Sequence, residues 1–348
     1  MPNAPPERGR AGTIRLATWN VEWFNALFDD AGRPLRDAGR SGRHQVTRAQ
    51  QLSAIGIVMT ALAADGIMVI EAPDTNAHRS TITALERFAR EAGLPTSRAL
   101  IGFASETDQE IAFLYDPARI DPHHDPQSTP AVPRFDRDYR YDLDADAAPE
   151  TIRFPKPPLE LAARVGTRHL RLIGVHTKSK APIGARNPGD VARIGIENRR
   201  KQLAECLWLR ERVVAHLAAG DDLIVMGDLN DGPGLDEYER LFGRSGVEIV
   251  LGADAEAPLR LTDPHAAMVM QRRTGFAPST ARFFMREHQR YFEALLDFIM
   301  VSPGLAARKP VWRIWHPFND PTIFGRADLR EALLTASDHF PVTLDLPM

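Results

Sequence analysis

A single cysteine in 348 residues, Cys206, excludes any disulfide framework within the chain. It sits in a helical pattern and reads as a small core residue. Apolar runs of membrane-spanning length are missing too. Leu52 to Ile70 comes nearest, and Asp65-Gly66 interrupts it, so it reads as a helix followed by a strand. Residues 1–11 have no apolar core of the kind a secretory signal needs. A soluble, cytoplasmic protein is expected, with no membrane association and no protein partner predicted. Charge of one sign is scarce: 43 basic against 46 acidic residues gives a net charge of −3, too little positive charge to coat nucleic acid in bulk. There is no cysteine cluster to hold zinc. No internal repeat is evident.

What is present centres on Leu223-Ile224-Val225-Met226-Gly227-Asp228-Leu229-Asn230-Asp231-Gly232-Pro233. A short apolar run predicts a buried strand, and the polar cluster falls at its carboxyl end, where Gly232-Pro233-Gly234 enforces a turn. Asp228 and Asn230 are two apart and share a side on an extended backbone. A carboxylate beside an amide suits holding a water and a phosphate oxygen together, although Asp, Asn and Gly are also common turn formers.

The same form recurs. Ile14 to Trp23 predicts a strand ending in Asn20 and Glu22. Ile67 to Ile70 leads into Glu71, and Leu170 to Ser179 carries His176 and Lys178. Leu295 to Ser302 holds Asp297 inside an apolar strand, and Asp338-His339 precede a last strand. Between these lie predicted helices: one starting at Thr47 with Gln50 completing a capping box, one around Ile82 to Ala89 stopped by Gly93, a long one capped by Asp190 and running to about Ala219, and a short one through Leu235, Tyr238, Leu241 and Phe242. Leu159 to Val165 and His169 to His176 predict a hairpin around Gly166-Thr167. Mixed strands and helices with hairpins suit an α/β sandwich of two sheets packed face to face with helices outside. Residues 1–12 are expected to be a disordered tail and 13–348 a single domain, because Asn20 and His339 must meet at one place. Loop insertions are expected near 25–46, 121–150 and 252–290.

Trp19-Asn20-Val21-Glu22, Glu71, His176, Gly227-Asp228-Leu229-Asn230, Leu296-Asp297-Phe298 and Ser337-Asp338-His339-Phe340-Pro341-Val342 stand in an order that resembles the endonuclease/exonuclease/phosphatase superfamily. The resemblance spans roughly residues 14 to 346. It implies a four-layer αββα sandwich, and it implies Glu71 as principal metal ligand with Asn20, Glu22 and Asp338 near it. It also implies that Asp297 pairs with His339. One departure stands out: the family usually has Gln before the metal-binding Glu, and here that position is Ile70.

The chemistry of the residues agrees with hydrolysis of phosphate esters. Asn20, Glu22, Glu71 and Asp338 are hard oxygen donors that favour Mg2+ or, in its place, Mn2+. Asp228 can orient or deprotonate a water and Asn230 can hold it. His176, His339 and Lys178 can bind phosphate oxygens or, for the histidines, give a proton. From Arg164 to Lys201 ten basic residues stand against two acidic ones, Asp190 and Glu197, a local excess of eight positive charges. That segment reads either as a phosphate-facing rim or as a solvated helix face plus loop. A divalent-metal-dependent nuclease acting on DNA or RNA is expected. The alternative is a phosphatase or phosphodiesterase of a small or lipid-derived phosphate ester, which the modest net charge supports. A catalytically dead binding module is disfavoured because every motif position carries a competent residue.

Overall fold

The computed structural model describes residues 12–141, 150–234, 243–271, 277–285 and 289–348. The helix expected through Leu235 to Phe242 and most of the expected tail lie outside them. Strands are numbered β1 to β15 along the chain. The first sheet runs, edge to edge, β14 (Val311–Ile314), β15 (Val342–Pro347), β1 (Thr13–Asn20), β2 (Gly66–Pro73), β4 (Gln109–Tyr115) and β3 (Arg98–Ile101). The second runs β13 (Asp297–Val301), β10 (Leu223–Asp228), β9 (Arg168–His176), β8 (Leu159–Val165) and β5 (Asp121–His124). Two short hairpins stand apart, β6 (Tyr139–Tyr141) with β7 (Glu150–Ile152), and β11 (Ala281–Met285) with β12 (Arg290–Ala294).

Strand alternation builds the layers. Leu16, Met68, Ile70, Ile224, Met226 and Ile299 point between the sheets and form the central core. Their neighbours in sequence point outward. Ala17, Trp19 and Val69 meet α1 (Arg48–Leu62), α2 (Thr81–Glu91) and the helix Ala327–Ala336, while Val225, Phe298 and Met300 meet α3 (Pro188–Ala218). Helix, sheet, sheet, helix is the four-layer α/β sandwich expected from the sequence.

Local signals explain the elements. Thr47 and Gln50 form the expected reciprocal cap on α1. The expected β8–β9 hairpin turns at Gly166, which has φ of 60°. The cap of α3 differs from expectation. Asn187 accepts from the Asp190 N–H, Pro188 occupies the first turn, and Asp190 lies inside it, where its charge favours the helix dipole. The stretch near 121–150 supplies β5 to the second sheet, and its Phe135 and Tyr139 pack on Trp208 of α3. The strand expected from Leu295 to Ser302 is β13, which begins at Asp297 and ends at Val301.

Candidate active site

Six chain segments meet at one edge of the sandwich. Asn20 ends β1 beside Ile70 of β2, with Glu71 next along. Asp228 ends β10 between His176, the last residue of β9, and Asp297, the first of β13. Gly227 makes that approach feasible: its φ is 144°, and a Cβ there would lie 2.0 Å from the Val175 carbonyl oxygen. Asn20 Nδ2 donates to Asp228 Oδ2 at 3.0 Å and so bridges the two sheets. The Asn230 N–H donates to the other carboxylate oxygen at 2.7 Å.

His339 comes from the far end of the chain and is held on all sides. Trp19 Nε1 donates to its carbonyl at 2.9 Å, and its N–H donates to Ser337 Oγ, which in turn donates to the Asn20 carbonyl. Its Nδ1 lies 2.7 Å from Asp297 Oδ2, the pairing the family resemblance implies. Thr280 Oγ1 accepts the Leu296 and Asp297 N–H groups and fixes the carboxylate beneath the ring. Burial alone pulls the imidazole pKa down. The Asp297 carboxylate, with Asp228 and Asp338, more than reverses this, and the pKa lies well above the ordinary histidine value. Burial pushes the Asp228 carboxyl up, against the opposing charge of His339.

Three site residues adopt left-handed backbone without being glycine: Trp23 (φ 54°), Glu71 (61°) and Asn230 (46°). Such positions are uncommon and cluster at functional sites. Glu71 sits in a bulge, where the register of β2 on β4 shifts between Ile70 and Ala72, and the bulge re-aims its carboxylate. That carboxylate accepts from the Trp23 N–H at 3.1 Å and from Gln109 Nε2 at 2.6 Å. Ile70 itself is buried between the sheets. The amide the family usually carries next to this Glu in sequence is matched here by an amide at Glu71 from the first residue of the adjacent strand.

The donor set fits a hard divalent cation. Asn20 Oδ1 is buried without a hydrogen-bond partner, and the same side chain's amide lies 3.5 Å from Glu71 Oε1. A carboxylate beside an unsatisfied amide oxygen is an oxygen-only pair of the kind Mg2+ takes together with water. Glu22 and Asp338 face each other, and burial followed by the Asp338 charge raises the Glu22 pKa, with Arg43 opposing it through a direct salt bridge. Asp228, Asp297 and His339 also gather within 4.8 Å, all buried. There His339 Nδ1 is already engaged by Asp297 Oδ2, so that ring nitrogen is not free to bind a cation.

A cleft of about 640 Å³ opens over these groups and is lined by Asn20, Glu22, Glu71, His176, Lys178, Asp228, Asn230, Asp338 and His339. The remaining expected site residue, Asp297, lies buried beneath His339. Gln109, Lys156, Glu205 and Trp23 are among the further lining residues that the sequence does not point to. Gln109 precedes the apolar run of its strand instead of following one, so it lacks the pattern that marks Asn20, Glu71, His176 and Asp228. Lys156 stands alone in the run Phe154-Pro155-Lys156-Pro157-Pro158, and its Nζ lies 2.8 Å from Gln109 Oε1 and 3.2 Å from His176 Nδ1. Glu205 interrupts the apolar stripe of α3, accepts the Lys178 N–H at 2.6 Å, and is pushed by burial to a pKa of about 8. Trp23 gives no local signal.

The basic segment is less of a path than its sequence suggests. Arg164, Arg168, Arg171, Lys180, Arg193, Arg199 and Arg200 are in ion pairs, most with acids distant in sequence such as Asp121, Asp125, Asp222 and Asp231. Lys178 and Lys180 line the cleft, joined there by Lys156 from outside the segment.

A model of the Endonuclease/Exonuclease/phosphatase family matches residues 17–339. No curated protein matches the chain by sequence. Among solved structures, truncated Caenorhabditis elegans TDP2 superposes with a TM-score of 0.53 at 14% identity, covering 97% of this chain and 98% of that one. An AP endonuclease from Archaeoglobus fulgidus gives 0.52 at 12%, covering 96% and 100%. D. rerio TDP2 complexed with single strand DNA product gives 0.51 at 12%, covering 97% and 99%. At these identities the likeness is one of fold.

Proposed function

The chain belongs to the endonuclease/exonuclease/phosphatase family, and from that premise we propose that this phosphoric ester hydrolase cleaves phosphodiesters of nucleic acid with Mg2+, for which Mn2+ substitutes. The observation that carries the reading is the juxtaposition, across two sheets, of the Asn20–Glu71 oxygen pair with the Asp228–Asn20 and Asp297–His339 hydrogen bonds in one lysine-bearing cleft.

Glu71 and Asn20 would hold the metal, with Asp338 and Glu22 beside them. When bound, the metal supplies neutralising charge for a phosphate oxygen. Asp228, held by two N–H donors and raised in pKa by burial, takes a proton from the attacking water as that water's oxygen bonds to phosphorus and the opposite P–O ester bond breaks, its electron pair leaving with the departing oxygen, which takes a proton from solvent. Asn230 orients the water. His339, with Nδ1 committed to Asp297, offers its remaining ring N–H to the charge that develops on the phosphoryl oxygens. His176 and Lys178 hold phosphate oxygens. A solved structure of similar fold with a single strand DNA product bound supports nucleic acid as the substrate class.

The test is a metal titration with a substrate panel of plasmid, single-stranded DNA, RNA, bis-p-nitrophenyl phosphate and inositol phosphates. EDTA is expected to abolish hydrolysis, Mg2+ or Mn2+ to restore it, and Glu71→Ala to resist rescue at ordinary metal concentrations. Full activity in EDTA sinks the metal role. Turnover confined to the inositol phosphates replaces the nucleic-acid reading with the small-ester one.

A further inference from the structure

The metal side of the cleft carries a cation of the protein's own. Between β1 and α1 the chain folds back in a small loop. Arg40 bridges Thr47, the Ser41 N–H donates to the Val46 carbonyl at 3.0 Å, and the Arg43 N–H donates to Ser41 Oγ at 3.2 Å. The loop seats on Trp23 at Gly42, where a Cβ would lie 2.6 Å from the Trp23 Cβ, so glycine is what permits the approach. Trp23 is also the residue whose N–H holds Glu71. From this seat Arg43 reaches Glu22. Its Nη1 pairs with Glu22 Oε2, and its Nη2 donates to the Leu334 carbonyl at 2.9 Å. Leu334 lies in the last turn of the helix Ala327–Ala336, which leads straight into Ser337-Asp338-His339. Basic side chains suit such carbonyls at a helix C-terminus. Gln51 Nε2 ties the same two segments, donating to the Glu22 and Ala336 carbonyls at 2.9 Å each. Arg43 is mostly buried and stands outside the cleft lining, whereas Glu22 is part of it. The guanidinium therefore meets the carboxylate from the side away from the substrate.

We infer that Arg43 is a positioning residue that supplies a fixed counter-charge and so limits the metal side of the cleft to one divalent ion. The inference rests on the metal-dependent reading above and adds to it the number of ions and the residue that sets it. Three carboxylates line this side, Glu22, Glu71 and Asp338. Mg2+ is usually held by one or two carboxylates, with water and substrate oxygens completing its shell. A third carboxylate left uncompensated would draw in a second ion, and phosphoryl-transfer sites with two ions are common. Arg43 removes that surplus. Its guanidinium stays charged at any working pH, and its planar fork can hold a carboxylate and a carbonyl together. Three negative charges against one fixed positive charge leave two, which one divalent ion balances. The cleft's lysines are engaged elsewhere: Lys156 lies against Gln109 and His176, Lys180 pairs with Asp231, and Lys178 serves the substrate phosphate.

The test counts Mn2+ ions bound per chain by electron paramagnetic resonance, in the whole protein without substrate. Wild type and Arg43→Lys are expected to bind one ion and Arg43→Gln two. The double variant Arg43→Gln/Glu22→Gln is expected to return to one. A role confined to holding the loop would not move the count, and would not be cancelled by removing Glu22. Thermal unfolding checks that each variant is folded. Glu22→Gln reads the same balance from the other partner and does not depend on the folding of Arg43→Gln. It leaves Arg43 unpaired beside the site, so its single ion is expected to bind roughly tenfold or more weakly than in the double variant. Two ions in wild type, one ion in folded Arg43→Gln, or equal affinity in Glu22→Gln and the double variant overturns the inference and leaves the metal reading standing. No ion in wild type removes the metal reading itself, and this inference with it. One ion in wild type and two in Arg43→Gln, with no cleavage of any phosphodiester, removes the hydrolase reading and leaves the role of Arg43 intact.

Discussion

Two histidines face one cleft with opposite surroundings, and the difference assigns them different work. His339 lies against a carboxylate. His176 lies 3.2 Å from the Lys156 ammonium and 3.7 Å from Asp228 Oδ2. Burial, then the Lys156 and His339 charges, drives the His176 pKa well below the ordinary value. Lys156 has donors only, so the Nδ1 it meets must be the acceptor and the ring proton must sit on Nε2. A neutral imidazole in the cleft wall, with its N–H on the Asp228 side, can donate to a phosphate oxygen without first taking a proton from solvent. Lys156→Met is expected to release that tautomer, raise the His176 pKa toward its ordinary value, and slow turnover by less than the about 10²–10⁴-fold expected for removing a catalytic histidine outright. Nitrogen chemical shifts of His176 across a pH titration check it. An unchanged Nε2–H signature in Lys156→Met would show that Lys156 does not set the tautomer.

At the scale of elements, the turn after β10 shows how a site is held rigid. Asp231 is fully buried and accepts from Arg199 of α3 at 2.5 Å, from Lys180 of the segment after β9 at 2.7 Å, and from the Gly246 N–H at 2.6 Å. One carboxylate thus ties together three segments around Asp228 and Asn230. Removing one partner of a buried pair leaves the other charge uncompensated, at a cost of about 3–5 kcal/mol. Asp231→Ala is expected to lose that much in chemical denaturation. Lys180→Ala should lose less, because Lys180 lies nearer the surface. A loss below 1 kcal/mol for Asp231→Ala would show that the network is not structural.

Such ties mark where legibility in the sequence stops. The strand tips bearing Asn20, Glu71, His176 and Asp228 could be read because an apolar run followed by a polar residue is a local pattern. Gly166 and the Thr47 cap are local in the same way. Lys156, Gln109 and Arg43 have no such pattern, and each matters through a residue at least 20 positions away in sequence. The basic segment misled for the converse reason. Charges adjacent in sequence are neutralised by acids that only the folded chain brings near, as Asp125 does for Arg171.

For the molecule as a whole, burying carboxyls around the cleft and between the layers sets how stability depends on pH. Burial raises Glu110 and Glu160 to about 7 and Glu205 to about 8. With folded pKa values above the unfolded ones, the native state binds more protons than the unfolded chain between about pH 4.3 and those values. Their contribution is therefore fully present below the unfolded pKa and is lost as pH rises through 7 to 8. His176, His216 and His316 act from the other side. Burial lowers each, so their contribution is present above the ordinary histidine value and is lost as pH falls through their depressed folded values. The two sets oppose each other below the ordinary histidine value, so thermal stability measured in EDTA, where no metal intervenes, is expected to fall most clearly from about pH 6.5 to pH 8, where only the carboxyls still titrate. Glu205→Gln isolates one group: the amide keeps an oxygen for the Lys178 N–H and has no proton to lose. Each unit of pKa displacement is worth about 1.4 kcal/mol, so the variant is expected to match wild type at pH 5 and to exceed it at pH 9 by up to a few kcal/mol. A variant equally displaced from wild type at both pH values would show that Glu205 ionises in the folded protein as readily as in the unfolded chain.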